Sequence, residues 1–174
     1  MNPIPPVVSR ALRLGVVAAA LLPPGPAAAV PARCDAAQRA LFTCSAGRKT
    51  ISVCGSRDLA PSAGRIEYRF GRARAAELRY PPAHVEWRRV TRGGTLTFSG
   101  GGGAFLAFTR APYRYIVYTA SGRGWGPRSG LVVEKKGRRI AGLRCTGALT
   151  SELGPALFEA AGIEVADDAF ELPR

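Results

Sequence analysis

The sequence predicts an all-β domain: a small antiparallel barrel, or alternatively a two-sheet sandwich, of about eight strands with a C-terminal helix or tail. Three observations predict it. Apolar residues recur with period two through most of the chain, while helical spacing is scarce before residue 149. Turn-forming clusters interrupt these runs at regular short intervals, and that regularity favours a sheet curling closed, because closure removes exposed edges. Four cysteines, an even number, can staple such a domain in an oxidising compartment.

The first element is a leader. Arg10 and Arg13 precede the apolar residues 14–22, Pro23-Pro24-Gly25-Pro26 breaks them, and Ala27-Ala28-Ala29 follow. Basic, then apolar, then small is the order of a secretory signal peptide, cleaved after Ala29 or, alternatively, Ala32. The apolar run is too short for a spanning helix, which needs about 20 residues. Lipid attachment at Cys34 needs a small residue before it, and Arg33 stands there. The chain therefore divides into a signal peptide (1–29), an N-terminal linker (30–39), an antiparallel β domain (40–147) and an acidic C-terminal helix or tail (148–174), bound for the periplasm or the exterior.

Within the β domain, residues 40–44 and 49–54 flank Ser45-Ala46-Gly47-Arg48, a hairpin signal. Ile66, Tyr68 and Phe70 alternate with Arg65, Glu67 and Arg69 to make a half-buried strand. Residues 77–80 form another, stopped by Pro81-Pro82, and 85–91 read as strand or short helix. Residues 95–98 and 104–108 surround a glycine run. Residues 113–119, rich in aromatic and β-branched side chains, are the strongest strand. Residues 130–135 and 138–145 flank the turn Lys136-Gly137. After Cys145, Leu149, Leu153, Leu157, Phe158 and Ala161 have amphipathic-helix spacing, with Thr150 or Ser151 as cap.

The chain has 25 Lys+Arg against 12 Asp+Glu, and only Lys49, Lys135 and Lys136 are lysines. Two bases belong to the leader. Such arginine usage, with abundant Ala, Gly and Pro, fits a GC-rich genome and solvated strand faces. It also fits attraction to an anionic envelope polymer. Candidate anion-binding residues are Arg65, Arg69, Arg72, Arg74, Arg79, Arg88 and Arg89. The sign reverses near Thr150: Glu152, Glu159, Glu164, Asp167, Asp168 and Glu171 face only Arg174, so the tail is expected to lie against the basic body.

Two disulfides are expected. Cys44–Cys145 with Cys34–Cys54 suits a sheet whose first and last strands become neighbours; Cys44–Cys54 with Cys34–Cys145 is the alternative. Zinc is a poor rival, for there is no C-x₂-C pair, and the single histidine, His84, lies far away in sequence. His84 also lacks a G-x-S-x-G partner for a hydrolase triad. Glu77 with Glu67 or Glu86 resembles a glycosidase pair only superficially, because these residues alternate with arginines and suit cross-strand ion pairs. Tyr113-Arg114-Tyr115 has the spacing of core alternating with surface, so a base-stacking platform and a nucleic-acid partner are not expected. No enzyme, cofactor, metal or membrane span is predicted. The run Ser99-Gly100-Gly101-Gly102-Gly103 lacks the lysine and helix of a phosphate loop and reads as a hairpin loop able to enter a partner's cleft.

Residues 42–54, Tyr68-Arg69-Phe70-Gly71, Glu77-Leu78-Arg79-Tyr80-Pro81, residues 113–118 and Leu143-Arg144-Cys145 together resemble a group of small secreted proteins of Gram-negative bacteria without known function. The resemblance covers about residues 40–147 and implies a compartment, not an activity. More loosely, the chain is similar to the periplasmic lysozyme inhibitors, small eight-stranded barrels that insert a Ser-Gly-x-x-Tyr loop into the enzyme. That likeness implies a wall-active enzyme as partner and Ser99–Gly103 as the inhibitory loop, with Gly103 standing at the tyrosine position.

Overall fold

The computed structural model describes residues 32–166 and 170–173, together with Met1. The leader read at 1–29 otherwise lies outside the described residues. Ten strands form two five-stranded antiparallel sheets. Sheet one has the order β10-β1-β2-β3-β4, with β1 Gln38–Ala46, β2 Lys49–Ser56, β3 Ile66–Arg72, β4 Ala75–Tyr80 and β10 Leu149–Ser151. Sheet two runs β5 Thr91–Phe98, β6 Gly101–Arg110, β7 Tyr113–Gly122, β8 Gly126–Lys135 and β9 Arg138–Arg144. Among the described residues there are also two short helices, α1 Trp87–Val90 and α2 Pro155–Ala161.

The period-two pattern decides which residues face inward. Phe42, Ile51, Val53, Ile66 and Tyr68 of sheet one meet Ala104, Leu106, Phe108, Val117 and Leu131 of sheet two in one core. The Tyr68 ring lies 5.6 Å from Phe108 and 5.5 Å from Tyr115, across the space between the sheets. Sheet two also buries its outer face. Phe105, Ala107, Ile116, Tyr118 and Val132 form a second apolar cluster under Phe170 of the tail.

The expected barrel does not close; the alternative, two sheets packed face to face, is what forms. The strands keep a barrel's cyclic order, but the ladder breaks at two seams. At β4/β5 the chain leaves the sheet through Pro81, Pro82 and α1, none of which can continue a strand ladder. The free edge of β5 is taken instead by the tail. Gly93 donates to Glu164 O at 2.9 Å and accepts from Ala166 N at 2.9 Å, in parallel register with Val165. At β9/β10 the sheets are joined by the Cys44–Cys145 bridge and by a bond from Thr146 N to Ser45 O of 2.8 Å.

Two further expectations change. Thr150 and Ser151 do not cap a helix, because Leu149–Ser151 pairs with β1 opposite Cys44, Thr43 and Phe42. The helix starts later, with Gly154 as N-cap and Pro155 in its first turn, where a missing N–H costs nothing. It ends at Gly162 in the left-handed region, φ 61°, with Ile163 N bonded to Phe158 O at 2.8 Å. Leu157, Phe158, Ala161 and Ile163 enter the main core. Of the expected 30–39 linker, the described residues 32–39 are integrated: Ala32 is buried, Cys34 is bridged, and β1 starts at Gln38.

The glycine run is also not a loop. Only Ser99 and Gly100 make the turn, Gly100 at φ 73°. Gly101, Gly102 and Gly103 lie in β6, each paired with both β5 and β7. A Cβ on Gly103 would stand 2.3 Å from Thr119 O and 2.7 Å from Ala120 Cα, so the backbones approach too closely for any side chain. Gly103→Ala should therefore cost about 1–3 kcal/mol in urea unfolding, the range for overpacking a fixed site. Gly142→Ala, where nothing lies within 4 Å of the new Cβ, should stay within about 0.5 kcal/mol of the parent. Equal effects at the two sites would show that backbone approach is not what selects glycine in β6.

Candidate functional site

The cysteines pair as Cys34–Cys54 and Cys44–Cys145. No helix among the described residues is long and apolar enough to cross a membrane.

The seven candidate arginines do not make one face. Arg65 spends its guanidinium on main-chain carbonyls of the β4–α1 connection: Pro81, Pro82 at 2.7 Å, Ala83 and Val85. Arg88 stacks on Trp87 at 4.2 Å and donates to Ala60 O at 2.6 Å and Ala63 O at 2.9 Å. Arg69 is buried on the outer side of sheet one. It pairs with Glu67, donates to Arg33 O at 3.0 Å and lies 3.6 Å from Asp35. Arg79 completes this cluster with bonds of 3.0 and 2.8 Å to the two Glu67 oxygens. Burial alone would raise the Glu67 pKa, but hydrogen bonds from Arg79 and Arg69, with their charges, hold it below the ordinary glutamate value. Only Arg72 and Arg74, at the β3–β4 turn, and Arg89 on α1 are simply exposed, and they sit on different elements.

The carboxylates have structural partners, as their alternation implies. Glu77 pairs with Lys49, and Glu86 caps α1 by accepting from Arg88 N at 3.3 Å. His84 is exposed. Tyr113 and Tyr115 stack with each other and toward Tyr68, while Arg114 pairs with Glu134 at 3.7 Å. The tail meets the body through Glu152 with Arg39 and through Glu164 with Arg92 at 3.0 Å. Asp167, Asp168 and Arg174 lie outside the described residues.

A different set of cations converges. Tyr118 on β7 lies opposite Gly130 on β8, which lies opposite Arg144 on β9. The same outer face carries Arg128 on β8, its guanidinium over Trp125 at 4.7 Å, and Arg139 on β9. Burial pushes the Tyr118 hydroxyl above its ordinary pKa, and the charges of Arg144, Arg128 and Arg139 pull against that rise, so all three lie within electrostatic reach of it. Tyr118, Arg139, Arg144, the intervening β9 residues and Pro173 of the tail line an open cleft of about 380 Å³. Among the described residues neither Arg139 nor Arg144 has a hydrogen-bond or ion-pair partner. Both are exposed, and a carboxylate, phosphate or sulfate could meet them with charge-assisted bonds.

None of these three arginines was singled out by the sequence. The available signal was the segment 138–144, with three arginines and no acid, a charge pattern that suits an exposed edge strand. Comparison of the chain with profiles of known families, with curated proteins and with solved structures finds no match.

Proposed function

We propose that the protein is an exported, non-catalytic binding protein that holds an anionic group of a cell-envelope component in the cleft along β9. The cleft that Arg139 and Arg144 line beside Tyr118, with neither arginine paired among the described residues, carries this reading. Two disulfides support an oxidising compartment, the periplasm or the exterior. The anionic partner is the one inferred from composition; the residues that meet it are relocated from the 65–89 region to sheet two.

The test is retention on heparin, a convenient polyanion, at low and rising salt. Arg139→Ser with Arg144→Ser should lower the affinity by about tenfold or more, since each bond to a charged group is worth about 1.5–3 kcal/mol. Arg72→Ser with Arg74→Ser removes the same net charge and should have a smaller effect. Equal losses from the two pairs would mean that net charge alone attracts the polymer and that the cleft is not a site.

A further inference from the structure

Among the described residues β9 is the outermost strand of sheet two, with β8 on one side and no strand on the other. Cys145 N donates toward β8, to Ser129 O at 3.0 Å. Two-residue alternation then directs Leu143 N–H toward β8 and the N–H groups of Gly142 and Arg144 away from it. Among the described residues nothing bonds to those outward groups. The cleft on the outer face, shared with Tyr118 and Pro173, includes every residue from Arg139 to Arg144. Ile140 is the extra residue where the register shifts against Val133 and Glu134, and it is 55% exposed. Lys135, Lys136 and Arg138 extend the positive charge around the hairpin.

We propose that β9 accepts an extended acidic polypeptide segment as an eleventh strand. Main-chain bonds to the outward groups of β9 would hold the segment, and its alternate carboxylates would reach Arg139 and Arg144. This rests on the anion-binding reading and names its ligand as a peptide rather than a polymer lacking amide groups. A polysaccharide can satisfy the arginines but offers no N–H and C=O at the spacing of a strand. A second copy of the chain is a poor occupant, since antiparallel pairing of β9 with itself about Ala141 sets Arg138 against Arg144. The charges that keep copies of the edge apart thus leave it open to a strand of opposite sign.

The probe is a fluorescein-labelled octapeptide alternating glutamate with valine, which puts every carboxylate on one face of a strand. It is read by anisotropy on the full chain. A second peptide carries N-methyl groups on alternate amides, which removes donors along one edge and leaves the charge unchanged. The first peptide should bind, and methylation should weaken it by about tenfold or more, the worth of one to two lost hydrogen bonds. Gly142→Pro deletes an outward N–H on an edge strand, a position where proline is tolerated, and should weaken the peptide similarly. Its melting temperature checks the fold, and the methylated peptide needs no variant at all. Equal binding of the two peptides overturns the proposal. So does peptide-induced or spontaneous dimerisation through β9. If heparin is retained through Arg139 and Arg144 but the peptide does not bind, the strand proposal falls and the anion-binding reading stands. If neither probe responds to those arginines, both fall.

Discussion

Glu67→Gln should destabilise the protein by about 3–5 kcal/mol, the usual cost of removing one partner from a buried ion pair. Arg69 and Glu67 expose only 3% and 9% of their side chains, so the guanidinium cannot turn to bulk water when the carboxylate is neutralised. It would keep Arg33 O and lose its main counter-charge, leaving the half-exposed Asp35 at 3.6 Å. The pH dependence follows from the direction of the Glu67 shift. Its pKa is lower folded than unfolded, so the unfolded chain binds more protons near it. The stability it contributes is complete above the unfolded glutamate value of about 4.3 and is lost as pH falls through the lower folded value. Urea denaturation at pH 7 and again below pH 4 should show the gap between parent and variant narrowing in acid. A gap that persists unchanged at low pH would mean that packing, not charge, sets the cost.

The second large effect is at the seam. Cys44 and Cys145 are 101 residues apart, and closing a loop of that length removes about 4–5 kcal/mol worth of unfolded-state entropy by the chain-entropy estimate. Cys34 and Cys54, 20 apart, close a loop worth about 3 kcal/mol on the same scale. Replacing Cys44 and Cys145 together by serine should therefore lower the denaturation midpoint more than replacing Cys34 and Cys54. The reverse order would show that the N-terminal segment over the Glu67 cluster, rather than loop length, governs stability.

The strands were legible where apolar and polar residues alternate, which writes period two into the sequence even where both faces end up buried. Ile66, Tyr68 and Phe70, and residues 113–119, fell where they were expected. Closure was not legible, because it depends on what lies beside β4 and β5. The 164–166 segment occupies that edge, and nothing local in residues 75–98 announces it. The glycines of β6 carried no side-chain signal, and the requirement at Gly103 comes from a backbone partner sixteen residues later. Arginine roles were the least legible. Arg65 and Arg88 bind carbonyl oxygens, which every residue carries, so no complementary residue type marks their targets. Arg139 and Arg144 share one cleft only because of the β9 bulge at Ile140 and the arrival of the tail at Pro173, neither of which a local pattern announces.

The wrapping tail has a consequence for how the chain is made. Synthesis delivers β1 early, yet its outer neighbour β10 and the helix that fills the core above it come from the last quarter of the chain. Until then the edge of β1 is bare, Leu157 and Phe158 are missing from the interior, and the thiol of Cys44 has only Cys34 and Cys54 within reach. Folding therefore depends on contacts that are long in sequence and slow to form. A ribosome-bound chain that stops before residue 149 presents an open sheet. Its stable pairing of Cys44 waits for Cys145, 101 residues later.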